Sequence, residues 1–259
     1  GRLTVVGKKS IDGEVPHKFL KPLGPATLRE IISERCNIHE PQTTGHGNKG
    51  SKGQRIPRWC YEAILARGHW EGIQPIRGIV RCPVLREDGT VVQTEGYDKE
   101  SGLYLDIDDS FPKVPENPSP ELIEQSVASL LDIVADFPFA NEESRSAWLA
   151  SLLTPLAREA YRGCTGPMFL FNGNVPGTGK GLLVDVTWMI VTGGRAVLNS
   201  IPSNNDEVRK LITTFVVEAS QLVLLDDIVD SLGCGALNAA LTGTTWKDRK
   251  LGHNEVIEG

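Results

Sequence analysis

The chain has 259 residues, of which 40% are hydrophobic and 23% charged, and its formal net charge at pH 7 is −6. This composition excludes a disordered chain, and no apolar run reaches the roughly 18 residues that a membrane-spanning helix needs. The five cysteines are widely spaced and form no C-x-x-C pair, which indicates reduced thiols in a cytoplasmic protein. Because the chain starts with Gly1 rather than Met, we expect a fragment of a longer protein.

Positive charge is concentrated at the start of the chain. Residues 1–60 hold 11 Lys and Arg against 5 Asp and Glu, whereas residues 61–259 hold 16 against 28. Residues 1–41 are interpreted as a basic N-terminal segment that forms a flexible arm, with a short amphipathic helix over 27–35. Residues 42–57 have four glycines, three Lys or Arg and few apolar side chains, so we predict a flexible linker. The basic segment either contacts nucleic-acid phosphates or is a solvated tail without a partner.

Residues 58–117 are predicted to form a small α+β unit. Asp88 and Gly89 separate two β-rich runs and are a hairpin signal. Prolines at 112, 115, 118 and 120 mark the border beyond the unit. The predicted elements are a helix at 58–67 and strands at 79–85, 90–94 and 102–107.

Residues 118–259 alternate helical patterns with short apolar runs, which predicts a parallel sheet covered by helices. The first helix begins at Pro120, after Ser119 as its N-cap, and its apolar face is predicted to contain Leu122, Ile123, Val127, Leu130, Leu131 and Val134. The other predicted helices lie at 141–161, with a kink at Pro155, and at 180–192, 205–219 and 236–241. The predicted strands lie at 168–171, 196–198 and 222–225.

The strongest motif is NVPGTGKG at 174–181, between a predicted strand and a predicted helix. This is the context of a phosphate-binding loop (Walker A): glycines let successive N–H groups turn towards phosphate oxygens, and the helix N-terminus adds positive potential. Lys180 is predicted to reach the β- and γ-phosphates. The predicted nucleotide-binding residues are Asn174, Val175, Pro176, Gly177, Thr178, Gly179, Lys180, Gly181 and Leu182.

Two positions depart from the usual pattern of this loop. The pattern has Gly at the position of Asn174, whereas Gly173 is one residue earlier, and it has Ser or Thr at the position of Gly181. Because Gly181 has no side-chain oxygen for Mg²⁺, we expect nucleotide binding to survive this departure better than hydrolysis does.

A second motif, LVLLDDI at 222–228, predicts an apolar strand that ends in two carboxylates. At the carboxyl edge of a parallel sheet, these carboxylates would lie beside the phosphate loop. Asp226 is predicted to hold Mg²⁺ or its waters, and Asp227 to polarise the attacking water. With Lys180 they are the predicted catalytic residues. An apolar strand ending in two Asp is common by itself, so this interpretation depends on the loop.

Three further groups have both a structural and a functional interpretation. Cys36, His39 and His46 could suggest a zinc site but lack a fourth ligand. Asp106, Asp108 and Asp109 form either a solvated acidic turn or a cation site. Trp59 and Trp70 either belong to the core or stack on bases.

Four segments together resemble the ATPase part of phage- and plasmid-type primase-helicases, which belong to the superfamily 3/AAA+ group of P-loop ATPases. They are the loop at 174–181, the segment DEVRK at 206–210, the acidic strand end at 225–227 and the segment LTGTTWKDRKLG at 241–252. Upstream, residues 56–103, with GYD at 96–98, look like the segment that precedes the ATPase in such proteins. The resemblance covers about residues 56–252.

The resemblance implies a P-loop NTPase domain over 118–259, truncated at its C-terminus before the expected sensor residue and arginine finger. It implies a ring-shaped homo-oligomer that hydrolyses ATP with Mg²⁺ and moves along single-stranded or forked DNA during replication of a mobile element. Asp227 stands where many relatives have Asn, and Arg249 either acts across a subunit interface or forms a structural ion pair. Two other functional classes stay open. One is a non-hydrolysing nucleotide-binding assembly module, which Gly181 favours. The other is a small-molecule P-loop kinase; such kinases usually have a basic lid over the phosphates, whereas the Lys and Arg residues of 182–259 are scattered.

Overall fold

The computed structural model describes residues 2–9, 17–38, 56–107, 111–175, 177–228, 232–249 and 256–258. These residues form a mixed α/β protein with seven α-helices, one 3-10 helix and several small sheets, one of them mixed. The chain divides into two compact units, an N-terminal unit at 1–74 and a C-terminal unit at 75–259. Within the described ranges, every helix is too short or too polar to span a bilayer.

The described residues of the N-terminal unit form a β-hairpin and two helices, so the expectation of a flexible N-terminal arm is wrong for them. Its elements are β1 (Thr4–Lys9), β2 (His17–Pro22), α1 (Pro25–Arg35) and α2 (Arg58–Ala66), with β1 and β2 antiparallel. The predicted helices at 27–35 and 58–67 are confirmed, and a proline stands at or before the first turn of each. Of the predicted linker, residues 42–55 lie outside the described residues, whereas Ile56 is buried.

The C-terminal unit begins with short strands that confirm the predicted β-containing segment. These strands are β3 (Gly78–Val80), β4 (Val84–Leu85), β5 (Val91–Val92), β6 (Gly96–Tyr97) and β7 (Leu103–Leu105). In the mixed sheet, β7 pairs parallel with β3 and antiparallel with β6. The predicted hairpin is formed by β4 and β5, and Gly89 in its turn has a left-handed φ of 83°. The buried core of this part is Val84, Val92, Leu103 and Leu105.

Two helices follow, α3 (Pro120–Asp132) and α4 (Glu142–Leu156), and then a 3-10 helix at Arg158–Tyr161. Asn141 caps α4 by accepting a hydrogen bond from the Ser144 N–H. The single helix predicted over 141–161 is divided in the structure. α4 ends at Leu156, one residue after Pro155, which has no N–H for a helical hydrogen bond. The predicted apolar face of α3 is wrong at its start, where Leu122 and Ile123 are exposed.

The last part alternates helices with short strands: the predicted helices at 180–192, 205–219 and 236–241 are confirmed, whereas the strand predicted at 196–198 lies at 198–200. Its elements are α5 (Lys180–Thr192), β8 (Leu198–Ser200), α6 (Asn205–Glu218), β9 (Leu224–Asp226), α7 (Gly235–Thr242), β10 (Lys247–Arg249) and β11 (Val256–Glu258). β8 and β9 pair in parallel, with Ser200 opposite Asp226, and β10 and β11 form an antiparallel pair.

The predicted strand at 168–171 is wrong in the described structure. Residues 165–173 have no strand assignment, and Leu170 is 71% exposed. An apolar run becomes a strand only when a neighbouring edge accepts its backbone hydrogen bonds, and the described parallel sheet here has only β8 and β9.

Candidate functional site

Two glycines of the 174–181 loop, just before α5, have a left-handed backbone. Gly177 has a φ of 80° and Gly179 a φ of 84°, both left-handed, where a side chain would be strained. Gly179 is the N-cap of α5, so Lys180 is the first helical residue. Free backbone N–H groups and the positive end of the helix dipole therefore coincide with the lysine. Pro176 lies outside the described residues.

Gly173 lies against the other side of this loop. A Cβ atom at Gly173 would be 2.5 Å from Thr178 Oγ1 and 3.0 Å from Lys180 Cδ. Only a glycine leaves room for both side chains to fold over this position. Thr178 Oγ1 is buried and has no hydrogen-bond partner among the described residues, so the interior of the loop holds an unsatisfied polar atom.

The predicted acidic pair ends the parallel strand β9. Asp226 is the last residue of β9, and both Asp226 and Asp227 are exposed to solvent. Asp227 has a φ of 58°, a left-handed backbone that Asp and Asn adopt more readily than most residues. The Asn199 amide holds β8 beside β9 by donating to the Leu224 carbonyl at 3.1 Å. A left-handed backbone at a residue other than glycine, as at Asp227, is often found at functional sites.

A large cavity of about 1300 Å³ has Lys180, Gly181, Asp226 and Asp227 among its lining residues. The other described loop residues that sequence reasoning assigned to nucleotide binding lie outside its lining: Asn174, Val175, Gly177, Thr178, Gly179 and Leu182. Leu182 is 61% exposed, on the outer surface of α5.

Sequence reasoning missed three residues of this region. Asn172 and Asp185 line the same cavity, and Gly173 supports the loop. A sequence signal existed for Asp185, which is the one carboxylate in the mostly apolar helix α5. For Gly173 the signal was its position one residue before the expected glycine.

The segment that carries the family-like WKD sequence is anchored to α6. Asp248 forms an ion pair with Arg209 at 3.0 Å and accepts a hydrogen bond from Thr213 Oγ1 at 2.8 Å. Trp246 Nε1 donates to the same Thr213 hydroxyl at 3.1 Å. These three contacts explain the Trp and Asp of the motif as packing residues. The Arg249 side chain lies outside the described residues.

The remaining candidates are placed only in part. His39, His46, Asp108 and Asp109 lie outside the described residues, and the described ranges contain no cluster of His, Cys, Asp or Glu that could hold a metal ion. Trp70 is half-buried and donates to the Ile64 carbonyl at 2.9 Å, which is a structural role. Trp59 is 71% exposed and so does not belong to the core.

Comparison with known proteins adds no relative: no protein-family model, curated protein or solved structure matches this chain. The functional interpretation therefore rests on the residues of this site and on the sequence resemblance described above.

Proposed function

We propose that this chain is the ATP-binding and ATP-hydrolysing module of a replicative DNA helicase of the primase-helicase type, with a P-loop NTPase core of the AAA+ kind. One observation carries the proposal: Lys180 at the N-terminus of α5 and the carboxylates of Asp226 and Asp227 line the same cavity. A cation at a helix N-terminus suits phosphate oxygens, and carboxylates suit the Mg²⁺ that accompanies a nucleoside triphosphate.

The donor set fits Mg²⁺–ATP in part. The loop N–H groups and Lys180 would hold the phosphates, and Asp226 would hold the metal ion or its waters. Gly181 offers no side-chain oxygen, so phosphate oxygens and water have to complete the coordination sphere. The bound ion would supply charge neutralisation at the phosphates. Asp227, beside Asp226, would orient the water that attacks the γ-phosphate.

A second candidate is a nucleotide-binding module that assembles with partners and does not hydrolyse ATP. The observation that favours it is the missing hydroxyl at Gly181. The two candidates differ in turnover and not in binding, so both require the loop to bind ATP.

The wider biological role is also part of the proposal. We infer a homo-oligomeric ring in the cytoplasm that moves along single-stranded or forked DNA of a phage or plasmid. This rests on the sequence resemblance described above. ATP turnover measured on this chain with and without single-stranded DNA tests it, since a motor is expected to hydrolyse ATP faster on DNA.

Calorimetry with Mg²⁺–ATP tests the binding step. Lys180→Ala should weaken ATP affinity at least tenfold, about 1.4 kcal/mol, because it removes the side-chain cation of the loop. Lys113→Ala removes an exposed lysine elsewhere in the C-terminal unit and should leave the affinity unchanged. Circular dichroism checks that both variants keep the fold. Equal ATP affinity in Lys180→Ala and the unmodified chain would contradict the assignment of the loop.

A further inference from the structure

The β1–β2 hairpin of the N-terminal unit has one face on which an aromatic ring covers a glycine. The register pairs Gly7 with Phe19 and Val5 with Lys21, so these four residues share a face, because paired residues of neighbouring strands point the same way. Val6 lies on the opposite face, paired with Leu20.

The Phe19 ring lies over the Gly7 backbone. A Cβ atom at Gly7 would be 2.9 Å from both Cε1 and Cζ of the ring, so only glycine leaves room for the ring there. Phe19 nevertheless remains 37% exposed. An aromatic ring that lies against backbone and keeps this exposed fraction offers a surface on which a planar group can stack.

The strands of the hairpin carry positive charge. The twelve residues of β1 and β2 contain four lysines and no Asp or Glu. Lys21 shares the face of Phe19, whereas Lys8 and Lys18 are paired with each other on the opposite face. The whole N-terminal unit, residues 1–74, has 12 Lys and Arg against 7 Asp and Glu, whereas residues 75–259 have 15 against 26. The hairpin is thus a basic surface on an acidic protein, and its charge is complementary to that of a polyanion.

We propose that this face of the hairpin binds single-stranded nucleic acid, with an unpaired base stacked on Phe19 and phosphates near Lys21. Stacking on an aromatic ring combined with a basic surface is how single strands are held without sequence preference. A duplex keeps its bases stacked on one another and offers no free base to Phe19. This site would hold the single strand of the helicase proposed above and in that respect rests on the proposed function, but it lies in the other unit of the chain and requires no nucleotide. Failure of the ATPase proposal is therefore seen in ATP calorimetry, and failure of this one in DNA binding without ATP.

Fluorescence anisotropy with a labelled 20-nucleotide oligothymidylate, without ATP, tests the proposal on the full 259-residue chain. Phe19→Leu keeps an apolar side chain in the hairpin but removes the π-face, and it should weaken binding about fivefold or more. Phe19→Trp keeps a ring and should bind within about twofold of the unmodified chain. Val6→Ala truncates a similarly exposed side chain on the opposite face and is the matched control.

Two further comparisons isolate stacking from charge. On an oligomer of abasic nucleotides, Phe19→Leu and the unmodified chain should bind equally, since no base is present to stack. Lys21→Ala should lower the slope of log affinity against log salt concentration by about 0.7, the value for one phosphate contact on a single strand.

Several results would overturn the proposal. They are no binding of oligothymidylate by the unmodified chain at low salt, equal affinity in Phe19→Leu, an equal loss in Val6→Ala, or the same Phe19→Leu effect on duplex or abasic DNA. If the unmodified chain sediments as a dimer, and Phe19→Leu sediments as a monomer with unchanged DNA binding, this face mediates contact between copies of the chain instead.

Discussion

A methyl group at position 173 tests whether the phosphate loop closes around Gly173 as the structure describes. The Cβ atom of Gly173→Ala would lie 2.5 Å from Thr178 Oγ1, whereas ordinary contacts of a Cβ atom begin at 3.4 Å. The hydroxyl therefore has to retreat by about 0.9 Å, the difference between these two distances. The second contact, 3.0 Å to Lys180 Cδ, involves a flexible stem that moves more easily.

The cost of this displacement falls on the loop, because Thr178 is short and directly precedes the left-handed Gly179. Overpacking of this kind costs about 1–3 kcal/mol. Since the loop would have to regain its shape when phosphate binds, we expect Gly173→Ala to weaken Mg²⁺–ATP binding about tenfold, or about 1.4 kcal/mol.

Calorimetric titration of Mg²⁺–ATP into three variants measures this effect. Gly166→Ala is the matched control, because a Cβ atom there would meet nothing within 4 Å, and it should bind as the unmodified chain does. The double variant Gly173→Ala/Thr178→Ala removes the clashing hydroxyl and should recover part of the affinity. The reasoning is refuted if Gly173→Ala binds ATP normally, or if Gly166→Ala loses as much.

Two further predictions concern the metal edge and an ion pair in the β-containing segment. Asp226→Ala should abolish the Mg²⁺ dependence of ATP binding, measured by calorimetry, and an unchanged Mg²⁺ dependence would exclude β9 as the metal edge. Gly181→Ser should be tolerated, and its added hydroxyl should strengthen Mg²⁺–ATP binding by about 1 kcal/mol or less. The hydrogen bond from the Arg86 guanidinium lowers the pKa of Asp98 from 3.8 to about 2, so Asp98 stabilises the fold above pH 4, and this contribution is lost as the pH falls towards 2. In urea titrations, Asp98→Asn should therefore be less stable than the unmodified chain at pH 6 and approach it near pH 2; a deficit of constant size would contradict this.

Local signals in the sequence were sufficient for most element positions. The Ser119 cap acts within one turn of helix, and the Asp88 and Gly89 turn closes its hairpin through hydrogen bonds within a few residues. The glycines at 177 and 179 likewise predict the left-handed loop before α5, since only glycine adopts that backbone without strain. Each of these features depends on residues close together in the chain, which is why sequence reasoning found them.

Features that need a distant partner were decided by the tertiary structure alone. The run at 168–171 has the composition of a strand, but strand formation depends on an edge elsewhere in the chain. Leu122 is apolar and exposed because the core packs against a later part of its helix. Gly173 rather than Asn174 supports the lysine, and Phe19 covers Gly7, because loop closure and strand register set these distances. The side chain of a residue and its neighbours in sequence determine its backbone preferences, whereas its tertiary contacts depend on which distant atoms folding brings close to it.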